Sequence, residues 1–402
     1  MKTNTGKEKI RNLLTRSVER IYPDKESLEK VLLSGKRIRL YCGYDPSGPT
    51  LHFGHMISLK KLAQFQELGH EVVMLIGDFT GMIGDPTDKA AARRKMTREE
   101  VRRNAMNYQR QASKFLRFNG LNPVKILYNS QWSDKLTFLD LIEIASIFTV
   151  QRMITREMFQ ERLKNKKPIY LHEFLYPLAQ AYDSVAMDVD LEIGGNDQTF
   201  NMLCGRELMK AIKNKEKFVL TLKLLTDPSG KKMGKTEGNL IGLNETADQM
   251  YGKIMAWPDS LIGLGLELLT DTPIEEITRI LNQIKKGKLN PRDAKAKMAK
   301  EIVAICQSVT KAARAEKEFN KIFKEKSLPT KIPGIHIIEG KIPLLDLLEK
   351  SGLVSSRAEA RRLIFQKGIK IDNEIQADWQ KEISVRKGQV IRVGKRKFVK
   401  II

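Results

Sequence analysis

Two kinds of apolar spacing alternate along the first 80 residues. Residues 37–44 read as a short strand that runs into a Gly/Pro-rich loop at 43–49. Beyond it, Met56, Leu59, Leu62, Phe65 and Leu68 recur every three positions, which predicts a helix over 55–68 with one buried stripe. Gly69 closes that helix, and residues 72–76 form a continuous apolar run suited to a parallel strand covered on both faces. Strand, loop, helix and strand in this order make a βαβ crossover, so the pattern predicts a doubly wound α/β domain.

Helical spacing then dominates residues 99–118 and 137–163, and a second apolar strand at 189–193 runs into Gly194-Gly195. The stretch from 245 to 325 is mostly helical and rich in lysine. Residues 328–343 carry three prolines and two glycines with little periodicity, which predicts a linker. After residue 342 come two short helices and then alternating strands around the turn at 394–397. The expected division is a Rossmann-like catalytic domain over 1–240, a helical domain over 241–328, a linker over 329–341 and a small α+β domain over 342–402.

Composition narrows the classes of partner. The chain has 402 residues, with 71 Lys+Arg against 48 Asp+Glu and a net charge of +23. That excess favours a polyanionic partner, nucleic acid above all. No apolar run approaches the ~18 residues of a spanning helix, and the charged N-terminus lacks the apolar core of a secretion signal. Cys42, Cys204 and Cys306 lie far apart without CxxC spacing, so a reducing cytoplasmic setting is expected.

Chemistry concentrates in two loops. In the first, Asp45 to His55, the run His52-Phe53-Gly54-His55 stands where the first strand meets the helix. Unpaired N–H groups and the positive end of the helix dipole make that a seat for phosphate. Gly54 lets a nucleotide lie close, and His52 and His55 can donate to phosphate oxygens. A metal reading of His-x-x-His lacks the Glu and the further ligand that zinc sites need, so no protein-held metal is expected. The second loop, Gly230-Lys231-Lys232-Met233-Gly234-Lys235-Thr236, can neutralise a polyphosphate as pyrophosphate leaves. It is not a P-loop, because no GxxxxGK[ST] precedes a helix there.

Together the two loops become specific. HFGH in the first βα turn with KMGKT downstream resembles the two signature motifs of class I aminoacyl-tRNA synthetases. YCGYDPSGPTLHFGH, IGDFTGMIGDP, EFLYPLAQAYD and IGGNDQ, in that order, resemble the bacterial tyrosyl-tRNA synthetase family, whose members end in an S4-like RNA-binding domain. Phe53 replaces the commoner Ile, Gly234 the commoner Ser, and Thr199-Phe200 stand where one branch has Trp-Gly.

The resemblance implies a tyrosine–tRNA ligase that uses ATP with Mg²⁺, charges tRNA and works as a homodimer away from membranes. It implies that Tyr41 and Asp183 bond the substrate phenol, that Asp85, Tyr176 and Gln180 hold its ammonium, and that Gln198 lies near its carboxylate. Gly43, Asp45, Gly195 and Asp197 are the implied adenosine contacts. Ser47, His52 and His55 face the α-phosphate, with Gly54 beside them. Lys232, Met233, Lys235 and Thr236 close over the leaving pyrophosphate. In the tail, Ser356 to Glu359 reads as a capping box that starts a helix, with Arg357, Arg361 and Arg362 on a basic face and Lys395, Arg396 and Lys397 in the turn. From 342 to 402 there are 14 Lys+Arg against 7 Asp+Glu. The basic run 89–103 suits either the tRNA acceptor end or a solvated surface. Two alternatives stay open: a tryptophanyl relative, and an RNA-binding relative that has lost activation.

Overall fold

The computed structural model describes residues 3–86, 96–227, 240–323, 332–338, 340–394 and 397–402. Within the loops singled out above, Lys89, Lys232, Met233, Lys235, Thr236, Lys395 and Arg396 lie outside the described residues. The chain divides into two compact units, Met1–Ala312 and Ala313–Ile402.

The first unit is built on a six-stranded sheet. Its strands are β1 (Val18–Tyr22), β2 (Arg39–Tyr44), β3 (Glu71–Ile76), β4 (Lys125–Tyr128), β5 (Leu191–Gly195) and β6 (Phe218–Leu222), in the spatial order β1-β6-β5-β2-β3-β4. β1 runs antiparallel to β6, and the other neighbours are parallel. The predicted crossover is present: β2, the helix Phe53–Glu67, then β3, whose last five residues are buried. From β2 the chain first builds outward through β3 and β4, and then returns to lay β5 on the other side of β2. The gap at the carboxyl ends of β2 and β5 is therefore the topological switch point, where open α/β sheets bind ligands.

Periodicity overran real helix breaks. Residues 99–118 fold as two helices, Arg98–Ala105 and Tyr108–Ala112, and residues 137–163 fold as three, Phe138–Ser146, Val150–Met153 and Glu157–Lys164. One restart is a side-chain cap, Thr149 accepting from the Arg152 N–H, and Thr137 caps the start of its stretch by accepting from the Asp140 N–H. Such caps satisfy amide donors that a continuous helix would not leave open.

Within the first unit, buried polar ties hold the helical segment to the residues just before β1. The Arg16 guanidinium donates to the carbonyls of Leu266, Glu267, Thr270 and Thr272 at 2.6–3.1 Å, which closes the C-terminus of the helix Ile262–Leu269. Phe53 meets Trp257 edge to face at 6.1 Å.

In the second unit, β9 (Ile369–Ile371), β10 (Glu374–Ile375), β12 (Val390–Val393), β13 (Lys397–Ile401) and β7 (Gly334–Ile335) form one sheet, and β8 (Gly340–Pro343) pairs with β11 (Glu382–Val385). Helices Leu344–Lys350 and Arg357–Phe365 cover an aliphatic core that includes Leu347, Leu348, Ile364, Ile369 and Ile391. The expected linker is corrected here, because Gly334–Ile335 and Gly340–Pro343 are strands. Ile335, Ile337 and Ile342 pack against that core, and their burial outweighs the turn-forming prolines and glycines around them. The capping box is also only half formed. Ser356 accepts from the Glu359 N–H at 3.2 Å, but the Glu359 carboxylate reaches Ser355, at 2.7 Å from its N–H and 2.6 Å from its hydroxyl.

Candidate active site

His52 caps the helix Phe53–Glu67 at the end of the loop that follows β2. Its Nδ1 accepts the Gly54 N–H at 3.1 Å, and Nδ1 of His55 accepts the His52 N–H at 3.1 Å, with the two rings 3.9 Å apart. Because each Nδ1 serves as an acceptor, a neutral ring carries its proton on Nε2, so both histidines present a donor. A Cβ at position 54 would stand 2.9 Å from Cε1 of His52, so glycine is what lets the cap fold back. The residues after the lysine loop are fastened to this turn. Phe53 N–H donates to the Ile241 carbonyl at 3.1 Å, Leu243 N–H donates to that of Leu51 at 2.7 Å, and His52 bridges Gly242.

Asp45 sits just past β2. Its Oδ1 accepts from the Thr80 hydroxyl at 2.7 Å and its Oδ2 from the Tyr176 phenol at 2.8 Å. The Asn129 amide donates to Thr80 at 2.9 Å and to Asp183 at 3.3 Å, and the Trp132 indole donates to Asp183 at 2.8 Å. Burial pushes the Asp183 carboxyl well above the usual range, and the Trp132 and Asn129 donors pull it back toward ionisation.

Tyr41 is fully buried among Val73, Leu75, Met187 and Val189, with Trp132 packed alongside. Its hydroxyl lies 3.0 Å from Ser184 Oγ. Register places Tyr41 opposite Glu192 across β2 and β5, and Glu192 pairs with the fully buried Lys217. Gln180 donates its amide N–H to Glu192 at 3.0 Å. Nearby, Gln198 donates to Asp85 at 2.7 Å, and the Arg156 guanidinium stands 3.6 Å from the same carboxylate. At the end of β5, a Cβ on Gly195 would come within 2.4 Å of the Asp197 carboxylate, whereas one on Gly43 would meet nothing within 4 Å. Backbone at Gly43 thus borders open space. Ser47 turns back through its N–H to the Asp45 carbonyl at 2.8 Å.

A family model described as tRNA synthetases class I (W and Y) matches residues 33–324. A tyrosine–tRNA ligase of Moorella thermoacetica is 43% identical over 97% of this chain and 94% of that protein, and one of Carboxydothermus hydrogenoformans is 45% identical over 97% of each. The chain belongs to the tyrosine–tRNA ligase family of class I aminoacyl-tRNA synthetases. The fold agrees: a C-terminally truncated mitochondrial tyrosyl-tRNA synthetase from Aspergillus nidulans superposes with a TM-score of 0.65 at 22% identity, covering 79% of this chain and 94% of that one. An S4 domain model matches residues 342–378.

For a tyrosine–tRNA ligase, the residues singled out in the sequence are linked as Asp45 with Tyr176, Asp85 with Gln198, and Gln180 with Glu192, which stands opposite Tyr41. Tyr176, expected beside Asp85, donates to Asp45. Thr80, Asn129, Trp132, Arg156, Ser184, Glu192 and Lys217 escaped the sequence reading. Trp132 and Asn129 follow a strand in a turn of ordinary composition, and Lys217 directly precedes β6. In the tail, Arg357 is tied to Asp346 at 2.7 Å and Glu349 at 2.9 Å, while Arg361 lies over the Trp379 ring at 4.3 Å. Lys397 donates to the Leu353 carbonyl at 2.8 Å. Among the described residues, no three His, Cys, Asp or Glu side chains gather as a metal-holding group.

Proposed function

We propose that the opening between β2 and β5 takes L-tyrosine and Mg·ATP, forms tyrosyl-adenylate and then charges tRNA. The observation that carries this reading is the Asp183 carboxylate, buried beside Tyr41 with its acceptor oxygens aimed by Trp132 and Asn129. An ionised carboxylate there accepts a phenol proton, which phenylalanine cannot supply. A site built around a hydroxyl rejects the analogue lacking it by about 10⁴ to 10⁵, a magnitude known from this enzyme family.

In activation, the tyrosine carboxylate oxygen attacks the α-phosphorus, an O–P bond forms, and the bond to the pyrophosphate oxygen breaks. His52 and His55 donate from Nε2 to the phosphate chain, while Lys232 and Lys235, with Met233 and Thr236 beside them, hold the leaving pyrophosphate. Gly43, Asp45, Ser47, Gly54, Gly195 and Asp197 seat the nucleotide. Asp85, Tyr176 and Gln180 hold the ammonium, and Gln198 stands near the carboxylate. No side-chain nucleophile is needed, because positioning and charge stabilisation carry the step. In transfer, a ribose hydroxyl at the tRNA 3′ end attacks the carbonyl carbon and releases AMP.

Residues 1–240 act as the catalytic domain, 241–328 as a helical tRNA-binding domain and 342–402 as the S4-like RNA-binding domain. Arg361 and Arg362 contact phosphates there, with Lys395 to Lys397. Arg357 is committed to Asp346 and Glu349 and serves to brace the two tail helices. A homodimer is supported by the exposed apolar side chains Phe138, Leu139, Ile142 and Val150. The setting is the cytoplasm, and no described helix is long and apolar enough to cross a membrane. The test is pyrophosphate exchange into ATP with tyrosine, tryptophan or no amino acid. Exchange with tyrosine alone is expected, and equal exchange with tryptophan overturns the assignment.

A further inference from the structure

Beneath the tyrosine opening lies an ion pair that the reaction does not itself require. Lys217, which directly precedes β6, is fully buried and pairs with Glu192 of β5, itself 2% exposed. Burial of two charges costs several kcal/mol each unless geometry and further hydrogen bonds compensate, so an apolar pair of similar volume would serve packing as well. Here the compensating bonds lead to the site. The Lys217 ammonium donates to Ser184 Oγ at 2.9 Å, and Glu192 Oε1 accepts the Gln180 amide N–H at 3.0 Å.

Each of these bonds fixes a direction. Ammonium has only donors, so Ser184 accepts from Lys217 and has one proton left to give. Ser184 Oγ has two acceptors in reach, the Tyr41 hydroxyl at 3.0 Å and Glu192 Oε2 at 3.4 Å. The shorter contact favours Tyr41 as the acceptor, and its own O–H is then released toward a ligand. At the other end, a carboxylate accepts only, so the Gln180 amide must turn its nitrogen to Glu192. Its Oε1 is then left buried with no hydrogen-bond partner among the described residues, an acceptor where the ammonium is proposed to bind.

We propose that Lys217 and Glu192 are a positioning pair for tyrosine recognition, which sets the hydroxyl direction of Tyr41 through Ser184 and the amide orientation of Gln180. This rests on the tyrosine-activating reading, so wild-type exchange with tyrosine is measured first. Failure there removes that reading, whereas success leaves the pair to be tested by itself.

The informative protein is Glu192→Gln/Lys217→Met, which removes both charges at similar volume and leaves neither one stranded. Thermal melting establishes that it folds. Loss of the enforced orientations should raise KM for tyrosine about tenfold or more, in line with a hydrogen bond to a charged group, with KM for ATP within about twofold of wild type. Two inhibitors separate the ends. In Glu192→Gln alone, whose amide tolerates either face of Gln180, tyramine should weaken while 3-(4-hydroxyphenyl)propionate, which has no ammonium, should not. In Ser184→Ala both should weaken, because both carry the phenol. A folded double variant whose KM for tyrosine stays within twofold overturns the proposal. So does a parallel rise in KM for tyrosine and ATP, which is what a purely structural role would give.

Discussion

Trp132→Phe removes one hydrogen atom that matters and keeps an aromatic ring in place. The indole N–H lies 2.8 Å from Asp183 Oδ1, and the remaining donor, Asn129, lies at a longer 3.3 Å. Asp183 is 2% exposed, so no solvent replaces the lost donor. A hydrogen bond to a charged group is worth about 1.5 to 3 kcal/mol, and 1.36 kcal/mol corresponds to one pKa unit, so the Asp183 pKa should rise by about 1 to 2 units. The direction follows from the chemistry: the indole stabilises only the carboxylate, and its loss favours the neutral acid on top of a burial that already does so. A neutral Asp183 loses the charge-assisted bond to the phenol proton. The acid limb of kcat/KM for tyrosine should therefore move to higher pH by about 1 to 2 units, with KM for ATP little changed on the alkaline plateau. Pyrophosphate exchange between about pH 5 and 9 measures this. An acid limb that stays in place in a folded variant refutes Asp183 as the group whose ionisation governs tyrosine use.

Four further outcomes are expected. Gly77→Ala would set a Cβ 1.8 Å from Asp45 Oδ1 and 2.3 Å from Thr80 Oγ, so adenylate formation should fall sharply, with circular dichroism reporting whether the fold persists; full activity would remove Asp45 from the site. Lys235→Ala should slow adenylate formation in pre-steady-state assays while leaving tyrosine affinity near wild type, since the proposed contact is one that strengthens as pyrophosphate leaves; normal rate with weak tyrosine binding refutes the role. Burial lowers the His70 pKa from 6.5 to about 4, so its neutral form contributes stability present above about pH 6.5 and lost as pH falls toward 4; melting of His70→Gln should lose part of that acid sensitivity, and an unchanged pH profile counts against it. Truncation after residue 330 keeps the Met1–Ala312 unit whole, so adenylate formation should survive while tRNA charging falls and the salt dependence of tRNA binding becomes shallower; full charging would make the tail dispensable.

The parts of this molecule that were legible in its sequence are those whose cause is local. The stripe from Met56 to Phe65 forms a helix because three-residue spacing already faces one side, and β3 is buried because its residues are apolar without interruption. The words proposed to face the ligands are compact for a related reason. They occupy loops at strand ends, where consecutive residues such as His52 to His55 or Gly195 to Asp197 share one place in space. The helix break at Thr149 was missed, because a cap competes with periodicity through a single side chain that the spacing does not weigh. The strand at Gly334–Ile335 was missed because its pairing partner, Lys400–Ile401, lies more than sixty residues along the chain.

The residues that bond to the groups proposed to face the ligands share that second cause. Glu192 and Lys217 are brought together only because β5 and β6 are parallel neighbours with Leu191 opposite Phe218, a register that no local pattern encodes. Asn129 and Trp132 reach Asp183 only because the chain after β4 turns back toward the helix His172–Met187. In the sequence, Glu192 is a polar interruption of the apolar run 189–193, and Lys217 stands just before the apolar run of β6. A charge at such a position argues against burial on composition alone, since lysine and glutamate are almost never fully buried unless paired. The structure supplies the pairing, and with it a reason to look for the charges' consequence at Tyr41 and Gln180 instead of in the stability of the sheet.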